Sequence, residues 1–203
     1  MKISLQSSQT AAKMSSVLHL AQACKYDAEH SKLVTQFATT IFDAMRPIHK
    51  LGATERTWLE MAGILHDIGW IDGRDGHHKA TLKIILNSPI LDLSNKERLI
   101  IGSIARYHRK SLPGLEHDHF AALEPVEQGV VVTLASLLRL ADGLDHLGSQ
   151  KIRNISAEAG KKSLLVTCKV ISSFPDKPAR IPKSDLFEIV FRRHARAAWS
   201  LLL

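Results

Sequence analysis

The residues of this 203-residue chain that could carry chemistry are histidines and aspartates at the ends of apolar helical faces. The stretch "ILHDIGW" places His66 and Asp67 directly after an apolar run. Extending each predicted apolar face by one helical step reaches a similar group on five helices. The complete set is His30, His66, Asp67, His78, His108 and Asp142. One such histidine alone is more often a hydrogen-bonded core residue than a ligand, but six groups together favour a shared site.

A divalent cation would explain why carboxylates such as Asp67 and Asp142 lie on buried faces. Burying an ionised carboxylate costs several kcal/mol unless it is strongly compensated. Pairing with a lysine or arginine is one compensation, and a metal is the other. Neutral imidazole and carboxylate together suit Mn, Fe, Co, Ni or Zn, whereas Mg as the sole metal is disfavoured because all-oxygen ligands are few. The sequence therefore predicts a divalent metal ion at this site.

Basic residues beside His108 could bind the oxygens of a phosphate group. Arg106, Arg109 and Lys110 flank it, and arginine is the better bidentate clamp. The alternative is an exposed basic helix end that interacts with its own C-terminal dipole. One turn before Asp142, Arg139 is a candidate structural partner of a carboxylate.

The net charge of +7 favours an anionic partner, such as a phosphorylated small molecule or polyphosphate, although a merely solvated basic surface has the same composition. Nucleic acid is not expected, because aromatic residues make up only 5% and no nucleic-acid-binding signature is present.

The elements that must position these groups are mainly helices. Helical periodicity dominates residues 1–150, and we expect the five helices to begin near Asp27, Thr54, His78, Ser94 and Pro125. Ser94 and Glu97 form a capping-box pattern, and the first of the five helices should end near Arg46-Pro47. The site groups fall near the helix ends, so the helices should bring them together.

The periodicity of the apolar residues changes after Asp145. Residues 162–171 alternate as a strand does, and "KIRNIS" is a partner strand joined near Ala159-Gly160. A closing helix is expected after Ser184, with Phe187, Val190, Phe191, His194 and Ala198 on one side. The predicted fold is mainly α: a helical bundle over 1–150, with a small hairpin and a closing helix over 151–203 packed on the same domain.

Two stretches carry a resemblance to a known family. The order His30, His66-Asp67, Asp142 resembles the H…HD…D signature of the HD superfamily of metal-dependent phosphohydrolases. "GHHKATLKIILNSPILDLSNKERLIIGSIARYHRKSLP" and "LASLLRLADGLD" resemble the C-terminal helical domain of the Ppx/GppA family, the exopolyphosphatases and guanosine pentaphosphate phosphohydrolases. The similarity covers about residues 16–145.

This resemblance implies a phosphohydrolase that cleaves a phosphomonoester, phosphodiester or nucleotide with metal-activated water. It implies a first metal on His30, His66, Asp67 and Asp142. It places a second metal on His78 and His108, with Asp67 as the bridge. His66 and Asp67 are then the residues on which catalysis depends.

Three departures limit what the resemblance carries over. The actin-like half that holds the phosphatase centre of those enzymes has no counterpart here, and Gly-rich phosphate loops are missing, so that mechanism is not expected. Ala80 stands where the family often has a histidine. Trp70 stands where the cyclic-dinucleotide branch has a lysine. The alternative is a non-catalytic module that binds polyphosphate or nucleotide.

The remaining expectations concern the setting of the chain. No stretch reads as a signal peptide or a membrane span, and Cys24 and Cys168 are expected to be free thiols in a cytoplasmic protein. Trp199 and the terminal residues 201–203 could form a patch suited to a homodimer. The alternative is that Trp199 packs on the bundle.

Overall fold

The computed structural model of the chain describes residues 2–148, 151–171 and 179–201. Over these residues the fold is mainly α, as predicted, with a small sheet near the C-terminus. The helices are α1 (Lys2–Ala23), α2 (Ala28–His49), α3 (Ala53–Leu65), α4 (His77–Asn87), α5 (Asn95–Arg106), α6 (Asp118–Ala121), α7 (Pro125–Gly148) and α8 (Asp185–Phe191). A 3-10 turn, Ile68–Asp72, joins α3 to α4. Among these helices, none is long and apolar enough to cross a membrane.

Local capping signals account for most of the helix starts. Asp27 caps α2 by accepting the His30 N–H at 3.0 Å. The Ser94–Glu97 capping box is confirmed: the Ser94 hydroxyl accepts the Glu97 N–H at 3.3 Å, and the Glu97 carboxylate accepts the Ser94 N–H at 3.0 Å. Pro125 is the first residue of α7, where its missing N–H costs nothing.

Two predicted helix boundaries are wrong. The cap of α3 is Gly52 and not Thr54, because the Gly52 N–H donates to Glu55 Oε2 at 2.8 Å and starts the helix earlier. The end of α2 lies beyond Pro47, at His49. Lys50 then stops the helix in the left-handed conformation, with φ 61°, and its N–H bonds to the Arg46 carbonyl.

The sheet has four strands in the order β1-β2-β4-β3. Their bounds are β1 (Ile152–Ala159), β2 (Ser163–Val170), β3 (Ala179–Arg180) and β4 (His194–Leu201). β1 and β2 form the predicted antiparallel hairpin, and β4 adds to β2 in parallel.

The predicted closing helix follows Ser184 but ends at Phe191, so placing His194 and Ala198 on its face is wrong. Arg192 turns the chain with φ 50°, and "HARA" then alternates exposed with buried residues, which is a strand period.

A single hydrophobic core joins the bundle to the sheet. Phe37 and Leu138 on the helical side and Val166 and Phe187 on the C-terminal side belong to one buried cluster. Strand β1 packs on α2, and α8 packs on α7. Trp199 is half-buried and packs against this core, while residues 202–203 of the proposed dimer patch lie outside the described residues. Helices α2 and α7 are therefore held side by side, and both carry site residues.

Candidate metal centre

Ends of helices and one face of α7 converge on one place. His30 lies in the first turn of α2, His66 and Asp67 follow α3, His77 begins α4, and His108 follows α5. On α7, Asp142 and Asp145 lie three residues apart and share a face. The helix ends and this face of α7 therefore bring these side chains together.

The side chains form two groups of potential metal ligands. One is His30, His66 and Asp142, and the other is Asp67, His77 and His108. Within each group the ligand atoms lie within 4.8 Å of one another. This spacing is compatible with a shared cation, because ligands about 2.0–2.2 Å from a metal lie roughly 3 to 4 Å apart.

Asp67 lies between the two groups. Its Oδ2 is 3.5 Å from His66 Nε2 and 3.6 Å from His30 Nε2. Its Oδ1 is 3.0 Å from His77 Nε2 and 3.4 Å from His108 Nε2. Each carboxylate oxygen thus faces a different pair of imidazoles, so Asp67 could be shared by two cations.

The same four histidines share one orientation, in which Nδ1 contacts an oxygen acceptor. The partners are Asp145 Oδ2 for His30 (2.7 Å) and the carbonyls of Gly63 for His66 (2.7 Å), Arg74 for His77 (2.8 Å) and Ala105 for His108 (2.7 Å). A carbonyl only accepts, so Nδ1 carries the proton and a neutral ring presents the lone pair of Nε2. Metal-ligating histidines are fixed in this way.

The Nε2 atoms of the four rings converge in two close pairs. His30 Nε2 lies 3.1 Å from His66 Nε2, and His77 Nε2 lies 3.3 Å from His108 Nε2. With Nδ1 protonated, each pair brings two lone pairs together. Asp67 Oδ1 is buried and accepts no hydrogen bond from the residues described. Divalent cations would satisfy all of these atoms, so the residues fit the metals that the sequence predicts.

The electrostatics keep the ligands in the forms that bind metals. Burial raises the pKa of the Asp67 carboxyl, but the surrounding imidazoles, led by His66 and His77, outweigh burial and hold this pKa well below its usual range. Burial also opposes ionisation of Asp142, but the groups around it, His108 and the ammonium of Lys183, lower its pKa. Burial lowers the pKa of His108 to about 3. The carboxylates are therefore ionised and this imidazole is neutral.

His77, and not the predicted His78, belongs to one of the two ligand groups. His78 is buried, its Nδ1 has no hydrogen-bond partner in the described part of the chain, and it belongs to neither ligand group. Burial, followed by the charge of Arg106, lowers its pKa to about 4. Thr81 lies one turn after His77 on α4. Thr81 is fully buried, and its hydroxyl accepts the Gly69 N–H and donates to the His66 carbonyl, each at 3.0 Å.

Of the three predicted phosphate-binding residues, only Arg109 lines the cavity beside the ligands. Arg106 is buried at 4% exposure, and its guanidinium lies 5.8 Å from the centroid of the Tyr107 ring. Lys110 is exposed, and its carbonyl accepts a hydrogen bond from Arg139 Nη1 at 3.1 Å. The Arg139 side chain itself pairs with Asp185, the structural role expected for it.

A cavity of about 530 Å³ lies beside the two ligand groups. Its lining includes His30, Asp67, His108 and Asp142. Its remaining walls include the exposed ring of Trp70 and the cationic or titratable groups Arg109, His146 and Lys183. Lys183 Nζ donates to Asp142 Oδ2 at 2.5 Å. Sequence patterns did not identify Lys183, because it lies 41 residues from Asp142 and on no predicted apolar face.

A comparison with known families gives one match. The family described as "Ppx/GppA phosphatase, domain III" matches residues 12–172. The matched range contains both ligand groups and Arg109, and it ends before Lys183.

Proposed function

Because the chain belongs to the Ppx/GppA phosphatase family, matching its domain III, we propose that it is a metal-dependent phosphohydrolase of the HD type. Members of this family are phosphatases, and the family suggests polyphosphate or nucleotide phosphates as substrates. The proposed reaction is hydrolysis of a phosphomonoester, phosphodiester or nucleotide.

The observation that carries this proposal is the position of Asp67 between two pairs of imidazole nitrogens, at 3.0–3.6 Å from all four. A hydrogen-bonded core carboxylate would meet donors, but the Nδ1–H orientation of the four rings leaves lone pairs facing it. Two cations, one on each side of Asp67, would turn every one of these contacts into an attraction.

Each residue then has a distinct task. His30, His66 and Asp142 would hold one cation, and His77 and His108 the other, with Asp67 shared. Divalent cations in such a site supply a Lewis acid for the phosphoryl group and an acidified water as nucleophile. Arg109 lines the same cavity and would donate hydrogen bonds to phosphoryl oxygens. Four imidazoles with two carboxylates favour Mn, Fe, Co, Ni or Zn over Mg.

A second candidate function is binding of polyphosphate or nucleotide without cleavage. It is favoured by the basic groups Arg109, His146 and Lys183 around the cavity and by the net charge of +7. Binding by charge alone would weaken with salt and would survive removal of the ligands. Hydrolysis would not survive their removal.

The deciding experiment is metal content by mass spectrometry of the untagged protein, beside Asp67→Asn. The variant keeps the side-chain volume but removes the charge that two cations share. We expect one or two transition-metal equivalents in the wild type, at least one of them lost in Asp67→Asn, together with turnover of phosphate esters. Asp92→Asn is the matched control, because Asp92 is exposed and outside both ligand groups. A wild type that stays metal-free after reconstitution with Mn, Fe, Co, Ni and Zn would rule the hydrolase out.

A further inference from the structure

A short segment from the C-terminal part of the chain reaches into the cavity. This segment, residues 181–185, is called the arm. Ile181 and Ser184 are buried at 1% and 2% exposure, and Lys183 between them adopts the left-handed conformation with φ 59°. A lysine in this conformation is uncommon and persists only where its surroundings hold it.

Two contacts with α7 hold the arm. Arg139 donates to both carboxylate oxygens of Asp185, from Nε at 2.9 Å and Nη2 at 2.6 Å, in a bidentate pair. One turn further, Gly143 lies so close to Pro182 that a Cβ on Gly143 would overlap the Pro182 carbonyl oxygen. Only glycine allows this approach, so the arm has a fixed position on the helix that carries Asp142.

The arm places the ammonium group of Lys183 beside the ligand groups. Lys183 Nζ contacts Asp142 Oδ2, whereas Asp142 Oδ1 faces His30 Nε2 at 3.8 Å. The lysine and His30 thus contact different oxygens of the carboxylate. An ammonium has three donors. Asp142 uses one of them, and the partly exposed Lys183 side chain lines the cavity beside Arg109 and His146.

A phosphate group entering this cavity meets several carboxylates. Asp27, Asp67, Asp142 and Asp145 all line it, and each would repel an anion. Metals would offset Asp67 and Asp142, and His30 pairs with Asp145 at 2.7 Å. Lys183 adds a positive charge at the wall, where it can reach both Asp142 and a bound anion.

We propose that Lys183 binds a phosphoryl oxygen of the substrate. The inference rests on the proposed function and deepens it, because it names the group that holds the phosphate beside the metals. Lys183 lies beyond the residues that the family match covers, so membership of the family assigns it no role. It is a positioning residue that fixes the substrate against the ligand groups.

The test is orthophosphate binding to the metal-reconstituted protein by calorimetry, with metal content measured on the same samples. Lys183→Gln removes the charge, and Lys183→Arg keeps it. Lys50→Gln is the matched control, because Lys50 is exposed, also adopts a left-handed conformation (φ 61°) and lies at the far end of α2 from His30. A charge-assisted hydrogen bond predicts that Kd rises about tenfold or more in Lys183→Gln. The Kd should change little in Lys183→Arg and Lys50→Gln. The metal content should be unchanged in all three variants.

Two results would overturn the inference while leaving the proposed function standing. Lys183→Gln could hold its metal and bind orthophosphate as the wild type does, in which case the lysine only neutralises Asp142. It could instead lose metal together with phosphate, in which case it acts through the ligand. A wild type that takes up no metal would overturn the proposed function and this inference together.

Discussion

His30 Nδ1 lies 2.7 Å from Asp145 Oδ2, so the first turn of α2 is joined to α7 across 115 residues of sequence. Burial lowers the pKa of His30, but this hydrogen bond and the charges of Asp142 and Asp67 outweigh it, and the net shift is upward. Asp145 therefore orients the ring and makes it a stronger base. An outer carboxylate that does this commonly changes metal affinity by about 10- to 100-fold.

Replacing Asp145 should weaken metal binding without removing a ligand. We expect Asp145→Ala to lower metal affinity by about tenfold or more, and Asp145→Asn to lower it less, because the amide oxygen can still accept. Competition with a chelator of known affinity measures this. Equal affinity in the wild type and Asp145→Ala would show that the hydrogen bond does not serve the metal.

His77 and His78 form a natural matched pair. His77→Ala should lose the metal held with His108, since His77 Nε2 is among the atoms facing Asp67 Oδ1. His78→Ala should keep its metal, because His78 belongs to neither ligand group. Metal equivalents per chain, measured by mass spectrometry on both variants, decide between them. If His78→Ala lost metal and His77→Ala did not, His78 would be the ligand, as the sequence predicts.

Gly143 should tolerate no side chain. Gly143→Ala places a methyl group on the Pro182 carbonyl oxygen, so the arm must move, and we expect a loss of roughly 1–3 kcal/mol in the free energy of unfolding. Gly129→Ala is the control on the same helix, because a Cβ there meets nothing within 4 Å. That change should stabilise the protein by about 0.5–1 kcal/mol, through helix propensity. Urea denaturation measures both, and similar shifts in the two variants would contradict the arm's close approach.

The two cysteines should react differently with thiol reagents. Burial raises the pKa of Cys168 on β2 to about 12, so at pH 8 it has almost no thiolate and no access. Cys24 is half-buried, and burial and the charge of Asp72 raise its pKa. A native-state thiol assay should therefore count one slow-reacting thiol, and Cys24→Ser should count none until the protein is unfolded. Fast labelling of Cys168 would contradict the position of β2.

Local signals in the sequence predict several of the helices. The Ser94–Glu97 capping box and Pro125 act within one turn, so short patterns suffice to place α5 and α7. The sequence predicts helix where β4 lies because "RRHARAAWS" contains good helix formers. Pairing with β2, which is distant in sequence, decides its conformation.

The candidate site is harder to predict from sequence than the helices. His30, His66, Asp67, His108 and Asp142 extend apolar faces and can be found by periodicity. The choice of His77 over His78 depends on how the turn Ile68–Asp72 enters α4, which one-residue patterns do not resolve. Lys183 follows no periodicity, because the arm is set by tertiary contacts with α7.

Strand β4 pairs with β2 in parallel. A parallel pair needs a crossover, and here the crossover includes the arm and α8. Every residue of the two ligand groups precedes it along the chain, so on the ribosome the imidazoles and carboxylates emerge before Lys183 does. Lys183 is the last of the cavity-lining residues along the chain, so the cavity lacks this wall until the arm has packed on α7.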